Sequence, residues 1–188
     1  TIGFPMDRFV GNWWSGSDAD VVPAGDNSIG YKSTAMHSAG VKAKVMQDII
    51  KHVYGGDKAA AKTNKVGEVL YNRGVYNAAL ATEAVRDAVK KSGGKKPNGD
   101  QVRAALESFT VDKDRLAKLG MSGFANPVSV SCRNHEGAAP GVFIQQWDGK
   151  QWKVKGDFVP AMSDVVRPMV EKAAAAYAKE NNIKPRGC

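Results

Sequence analysis

The sequence predicts a mixed α/β or α+β fold. Apolar residues recur at helical spacing through the first two-thirds of the chain, strand-like alternation takes over at Val128, and an Asp-Gly dipeptide between two aromatic strands precedes a final amphipathic stretch. With 188 residues, 43% of them hydrophobic and 24% charged, the chain can bury a substantial core.

Taken in order, Arg8-Phe9-Val10 reads as the end of a buried strand, and Gly11-Asn12-Trp13-Trp14-Ser15-Gly16-Ser17 as a loop too rich in Gly and Ser to continue a sheet. Ligands in open α/β sheets bind outside the carboxyl ends of strands, where this loop would lie. Tyr31 to Met36 forms a second candidate strand. Val41, Val45, Ile49 and Val53 then repeat every four residues, the spacing of a helix with one buried stripe, and Gly55-Gly56 ends it. A longer helix is expected from Val66 to Val89, stopped at Ser92-Gly93-Gly94, with the polar run Asn72-Arg73-Gly74 interrupting its early stripe. Pro97-Asn98-Gly99-Asp100 opens a short helix, and Leu116 and Leu119 mark another. Val128, Val130 and Cys132 alternate with serines. Val142 to Trp147 and Gln151 to Val154 flank Asp148-Gly149, the dipeptide of a two-residue hairpin turn, with Trp147 and Trp152 placed to pair across it. Ser163 is positioned to cap a last helix whose Val166, Met169, Val170, Ala173 and Tyr177 share a face, ending near Asn181-Asn182.

The net charge of +8 admits a polyanion-binding reading, but Lys90-Lys91 and Lys95-Lys96 are the only tight clusters and no motif interleaves aromatics with them. A solvated basic surface is the expectation, with no nucleic-acid partner. His37, His52 and His135 have no i,i+4 partner among them, which argues against a metal site. Cys132 and Cys188 have no metal-ligand spacing. A Cys132–Cys188 bridge is expected because it ties down a terminal thiol, two inert thiols being the alternative. A cysteine hydrolase would need a base and an oxyanion hole that the spacing around Cys132 does not provide, so an enzyme is not expected. No run reaches the eighteen or so apolar residues of a membrane span. The start at Thr1, without a Met and almost directly before a strand, points to a processed or truncated product.

Phe9-Val10-Gly11-Asn12-Trp13-Trp14, Ala24-Gly25-Asp26 to Gly30-Tyr31, and Gly67-Glu68-Val69-Leu70-Tyr71-Asn72-Arg73-Gly74 with Glu83 to Ala88 resemble the leucine/isoleucine/valine-type binding proteins of ABC importers. So do Val130 to Gly137, Gln145 to Trp152 and the Tyr177 to Asn182 helix. The resemblance covers essentially the whole chain and matches the C-terminal half of such proteins. It implies a type I periplasmic binding protein, a two-lobed flytrap joined by three chain crossings. Residues 1–38 would belong to lobe 2, 39–128 would be the helical part of lobe 1, 129–150 the returning strands and hinge, and 151–188 a hairpin strand and terminal helix packed on lobe 2.

The mechanism implied is solute capture by lobe closure and delivery to a membrane permease and its ATPase, without cofactor or catalysis, in the periplasm after a signal peptide absent from this sequence. A missing N-terminal half would complete the site. Sensory use of the same fold, signalling through a partner, is the alternative. The candidate ligand-binding residues are Asn12, Trp13, Trp14, Tyr71, Asn72 and Arg73. The family places a carboxylate for the ligand's ammonium at or beside Trp13, and none is there, although Asp18 and Asp20 lie nearby. A Trp covers a flat apolar face, and an Arg at a helix start suits a carboxylate, so a carboxylate or amide on an apolar or aromatic body is expected rather than an aliphatic amino acid. Core packing for the tryptophans and an ion pair for Arg73 are the competing structural roles.

Overall fold

The structure, a computed structural model, describes residues 3–137, 140–184 and 187–188; positions 1–2, 138–139 and 185–186 of the expected segments lie outside the described residues. Among the described residues six strands and seven α-helices follow one another: β1 (Val10–Gly11), α1 (Asp18–Val21), β2 (Lys32–Ala35), α2 (Lys44–Val53), α3 (Lys58–Thr63), α4 (Val69–Lys91), α5 (Gly99–Leu106), β3 (Thr110–Val111), α6 (Lys113–Lys118), β4 (Val128–Ser129), β5 (Gly141–Trp147), β6 (Trp152–Pro160) and α7 (Ser163–Glu180). Four strands form one sheet in the order β1-β2-β5-β6, with β1 and β2 parallel and the other pairs antiparallel; β3 and β4 make a separate ribbon.

The chain packs around two apolar cores. The helical one is built from α2, α3, α4, α6, the β3 segment and the chain after α6, with Met46, Tyr76, Val111, Met121 and Phe124 among its buried members. The sheet-side core holds Val21, Tyr31, Val69, Trp147 and Trp152. The chain leaves β2 at His37, which bridges Ala125, while Ser38 N donates to the Phe124 carbonyl at 2.8 Å. Outgoing and returning chain therefore run side by side between the two cores. Asn72 of α4 fastens this passage, its Nδ2 donating to the Ser38 and Gly40 carbonyls at 3.0 and 2.9 Å.

Several expectations are corrected. The buried strand at Arg8 to Val10 is instead a 3₁₀ turn over Met6–Arg8, closed by Arg8 N on the Pro5 carbonyl, followed by a two-residue edge strand with Phe9 and Val10 exposed. Proline fixes the turn, and β1 pairs with β2 alone at the sheet edge. The helix expected from Val66 begins at Val69, because Lys65 and Gly67 adopt positive φ of 63° and 99°. Helix α3 carried no apolar stripe; Asp57 caps it by accepting from Ala59 N and Ala60 N, and alanines fill it.

Alternation over Val128 to Cys132 yields only β4, since the tight Ser131–Asn134 turn ends the ladder. Trp147 and Trp152 pair as expected, ring centroids 5.6 Å apart, but the hairpin loop holds four residues, Asp148 to Gln151, and Asp148 Oδ1 accepts from Lys150 N and Gln151 N. The Lys153 ammonium holds the Asp148 carboxyl well below the usual carboxylate range, aided by those two amides. Helix α7 starts at Ser163, with Met162 rather than Ser163 at the cap position and no side-chain cap. None of its residues is buried. The Cys132–Cys188 disulfide is formed. Among the described residues no helix is long and apolar enough to cross a membrane.

Candidate functional site

The turn after β1 is held against the sheet from below. Asn12 Oδ1 accepts from Trp14 N at 3.0 Å and opens the 3₁₀ turn Trp13–Ser15. Tyr31 Oη donates to the Ser15 carbonyl at 2.9 Å, and Gln145 Nε2, buried in the sheet, donates to the Gly16 carbonyl at 2.8 Å and to Ser33 Oγ at 3.0 Å. Glycine is required at both ends of the turn, since a Cβ would meet Tyr31 Oη at 1.8 Å from position 11 and Ser33 Oγ at 2.0 Å from position 16. The backbone thus sits directly on the sheet, with Trp14 exposed and Trp13 half-buried.

Beyond the turn, Ser17 and Asp20 form a capping box: the Asp20 carboxylate accepts from Ser17 N at 2.8 Å and Ser17 Oγ at 2.6 Å. Asp18 Oδ2 accepts from Val69 N at 2.9 Å, placing a carboxylate on the first amide of α4 across 51 residues of sequence. This bond brings the opening of α4 over the tryptophan turn. One turn further along α4, Arg73 Nη2 donates to the Trp13 carbonyl at 2.7 Å. Its guanidinium carbon lies 4.4 Å from the Trp13 ring centroid and 5.8 Å from that of Trp14, and the two indoles are 5.2 Å apart.

The electrostatics of this cluster are unbalanced. Burial pulls the Arg73 pKa down and the Asp20 charge opposes it, yet no carboxylate among the described residues lies within ion-pair distance of Arg73. Arg73 Nε and Trp13 Nε1 are both buried without a hydrogen-bond partner. Two unmet donors beside a partly desolvated cation and two flat rings favour an acceptor-rich, negatively charged group on a planar or apolar body. Trp14, 74% exposed, leaves one side of the cluster open.

The structure therefore brings Asn12, Trp13, Trp14 and Arg73 together. Tyr71 and Asn72 are turned elsewhere. Tyr71 packs on the helical core, where burial first and then the Tyr54 hydroxyl raise its pKa. Asn72 is fully buried at the chain passage, with Oδ1 unpartnered. The histidines are scattered: His52 and His135 are exposed, and His37 is wholly buried, stacked on Phe124 at 5.7 Å and near Tyr76 at 5.9 Å. Burial lowers the His37 pKa to about 4.

Sequence reasoning missed Asp18 as the clasp between turn and helix and Tyr31 as the prop beneath. The Ser17-x-x-Asp20 box was a legible signal that these acids were occupied in a helix start. A groove of about 570 Å³ is lined by Tyr76, Asn126, Phe158, Val166 and Arg167 among others and shares no residue with this cluster.

No family model matches the chain, and no curated protein does. Two solved structures do. One, described as an ABC transporter permease from the Pseudomonas fluorescens group, is 36% identical, with a TM-score of 0.88, over 99% of this chain and 45% of that one. The other, a branched-chain amino acid ABC transporter from Thermus thermophilus with bound valine, is 22% identical, with a TM-score of 0.61, over 86% of this chain and 41% of that one. The chain thus shares its fold with a portion of each and spans less than half the length of either.

Proposed function

We propose that the chain is part of an extracytoplasmic solute-binding component of an ABC importer, which captures a small amino-acid-like, amide or aromatic carboxylate solute by lobe closure and delivers it to a membrane permease and its ATPase. The reading rests on one observation above all: the Trp13–Trp14 turn, seated on the sheet, meets Arg73 of α4, seated on the helical core, and leaves Arg73 Nε and Trp13 Nε1 without acceptors. Both solved neighbours are described as ABC-transporter proteins, which supports the transport role.

In this account Arg73 takes the solute's carboxylate or amide oxygen, the indoles cover its flat body, and Asn12 sets the turn. Closure follows because contacts from both sides exist only when they meet, so a solute shifts the open–closed equilibrium by its differential affinity. No step of this requires catalysis, a cofactor or a metal, and we propose that the protein is not an enzyme. A type I two-lobed architecture for the whole protein and a periplasmic location belong to the same proposal.

The test is a thermal-shift screen of the full-length protein against benzoate, benzamide and L-valine. Benzoate or benzamide at saturating concentration should raise the Tm in a dose-dependent manner. Strong stabilisation by valine, with no response to the other two, contradicts the solute class.

A further inference from the structure

The groove of about 570 Å³ opens where the chain passes between the two cores. It is lined by Met36 and Asn126, the chain neighbours of His37 and Ala125, which bridge the outgoing and returning segments. Tyr76 of α4, Phe158 of β6 and Val166 of α7 add walls from three further elements. Phe158 is aimed by a break in the ladder. Pairing runs Val142 with Val159 and then Ile144 with Lys155, so Gly156, Asp157 and Phe158 bulge out against Phe143 alone, and Gly156 takes a φ of 67°. Bulges re-aim side chains next to functional sites. A Cβ at position 141 would meet the Phe158 ring at 2.6 Å, so the ring lies on bare backbone, and Phe143 meets it edge-on with centroids 5.6 Å apart. The loop that adds Asn134 and Gly137 to the lining is closed by Asn134 Nδ2 donating to the Gly137 carbonyl at 2.7 Å, and it is tied through Cys132 to Cys188. The groove is therefore preformed, as small-molecule sites generally are.

Its polar content is small and specific. Asn126 Nδ2 is withdrawn from solvent without an acceptor, and such a donor costs free energy until something accepts from it. Tyr76 is 8% exposed, and burial pushes its phenol up, so the hydroxyl keeps its proton and can donate. Arg167 is already matched. Its Nε donates to Glu171 at 2.9 Å, its Nη2 to the Arg133 carbonyl at 2.7 Å, and its Nη1 lies 3.7 Å from the Glu136 carboxylate. Among the described lining residues, an ionic ligand would meet neither a free guanidinium nor a free carboxylate.

We infer that this groove is a second binding site, and that its ligand is an uncharged ring compound bearing a carbonyl. The ring of such an amide, lactam or ester lies against Phe158 and Val166, and its carbonyl oxygen accepts from Asn126 Nδ2. The groove's volume falls in the range of small-molecule sites. The site shares no residue with the Trp13–Arg73 cluster, so the inference goes beyond the solute-binding reading without resting on it.

The test titrates acetanilide, a neutral phenyl amide, into the full-length protein carrying Arg73→Ala, followed by calorimetry. The substitution takes the guanidinium out of the other cluster, so that the groove is read by itself. Saturable 1:1 binding is expected. Asn126→Leu in the same background should weaken it at least about tenfold, the effect of losing one buried hydrogen bond. Val166→Trp, at a position 49% exposed, fills the groove with an indole and should abolish binding with the Tm unchanged. Phenylacetate, similar in size but anionic, should bind at least about tenfold more weakly than acetanilide, because its charge is desolvated without a partner. The inference is overturned if acetanilide does not saturate, if Asn126→Leu or Val166→Trp binds it as well as the parent, or if phenylacetate binds as tightly. Should Asn126→Leu fail to fold, Val166→Trp and the phenylacetate comparison decide. Benzoate binding to wild type is read separately, and its failure would sink the functional reading while leaving this site standing.

Discussion

The helical core and the β6–α7 region are built from the same kinds of residue and end in opposite states. In the core, Met46, Val111, Met121 and Phe124 are at most 1% exposed, and even the charged groups at its edge are matched: Arg115 donates to buried Glu83 at 2.6 Å and to Asp87 at 2.9 Å. In α7, valines and a methionine at equally regular spacing face outward. Periodicity identifies an apolar face but not what covers it. The core supplies its own cover through helices α2, α3, α4 and α6, whereas the apolar face of α7 lies open.

The sharpest way to break this contrast is to truncate one side chain on each side. Phe124→Ala, in the core and stacked on His37, should cost about 4 kcal/mol in urea unfolding, because the cavity left among the buried side chains of the helical core cannot collapse easily. A loss below about 1 kcal/mol would mean that the core is looser than its burial indicates.

Next in size is a pH effect from His37. Its folded pKa of about 4 lies below the ordinary 6.5, so the fold holds the neutral ring in the grip of burial, with the Arg73 charge acting in the same direction and the Ser38 carbonyl against it. Stability from this group is complete above pH 6.5. It declines as the pH falls towards 4, where the unfolded chain takes up a proton that the fold refuses, and the loss approaches roughly 3 kcal/mol. Urea unfolding of wild type and His37→Phe between pH 7.5 and 4 reads this as a difference in slope; equal slopes would refute it.

Removing the bridge with Cys188→Ser should cost about 2 kcal/mol, the lower end for such a loop, because the described residues of the tail it holds are exposed. Greater protease sensitivity beyond α7, with the helical core unaffected, is the accompanying signature. Smallest of all, Met169→Asp in the isolated chain should change stability by no more than about 0.5 kcal/mol, as for other exposed positions. A loss comparable to that of Phe124→Ala would erase the distinction between the two regions.

Much of this was legible beforehand, and the failures share a cause. The existence of helix α2, the Asn98 cap of α5, the Trp147–Trp152 pair and the Cys132–Cys188 bridge follow from local pattern, cap chemistry and residue economy, but α2 starts at Lys44 and buries Met46 and Ile50, leaving Val41 outside it and Val53 exposed. The two-residue strands β1, β3 and β4 are too short for alternation to register, and their pairing comes from partners distant in sequence. At the site, Trp13, Trp14 and Arg73 were singled out and do meet. Tyr71 and Asn72, which the resemblance places with them, face elsewhere, because successive helical residues point about 100° apart. The Asp18 bond to Val69 N, which sets the whole juxtaposition, joins two loops with no sequence pattern in common.

The most direct test of the central claim is a titration of benzoate into the full-length protein, followed by indole fluorescence, in wild type and Arg73→Ala. The account predicts saturable quenching in wild type and affinity at least about 30-fold weaker in the variant, the loss expected when one partner of a desolvated charge-assisted contact is removed. Equal affinity in the two proteins would contradict it.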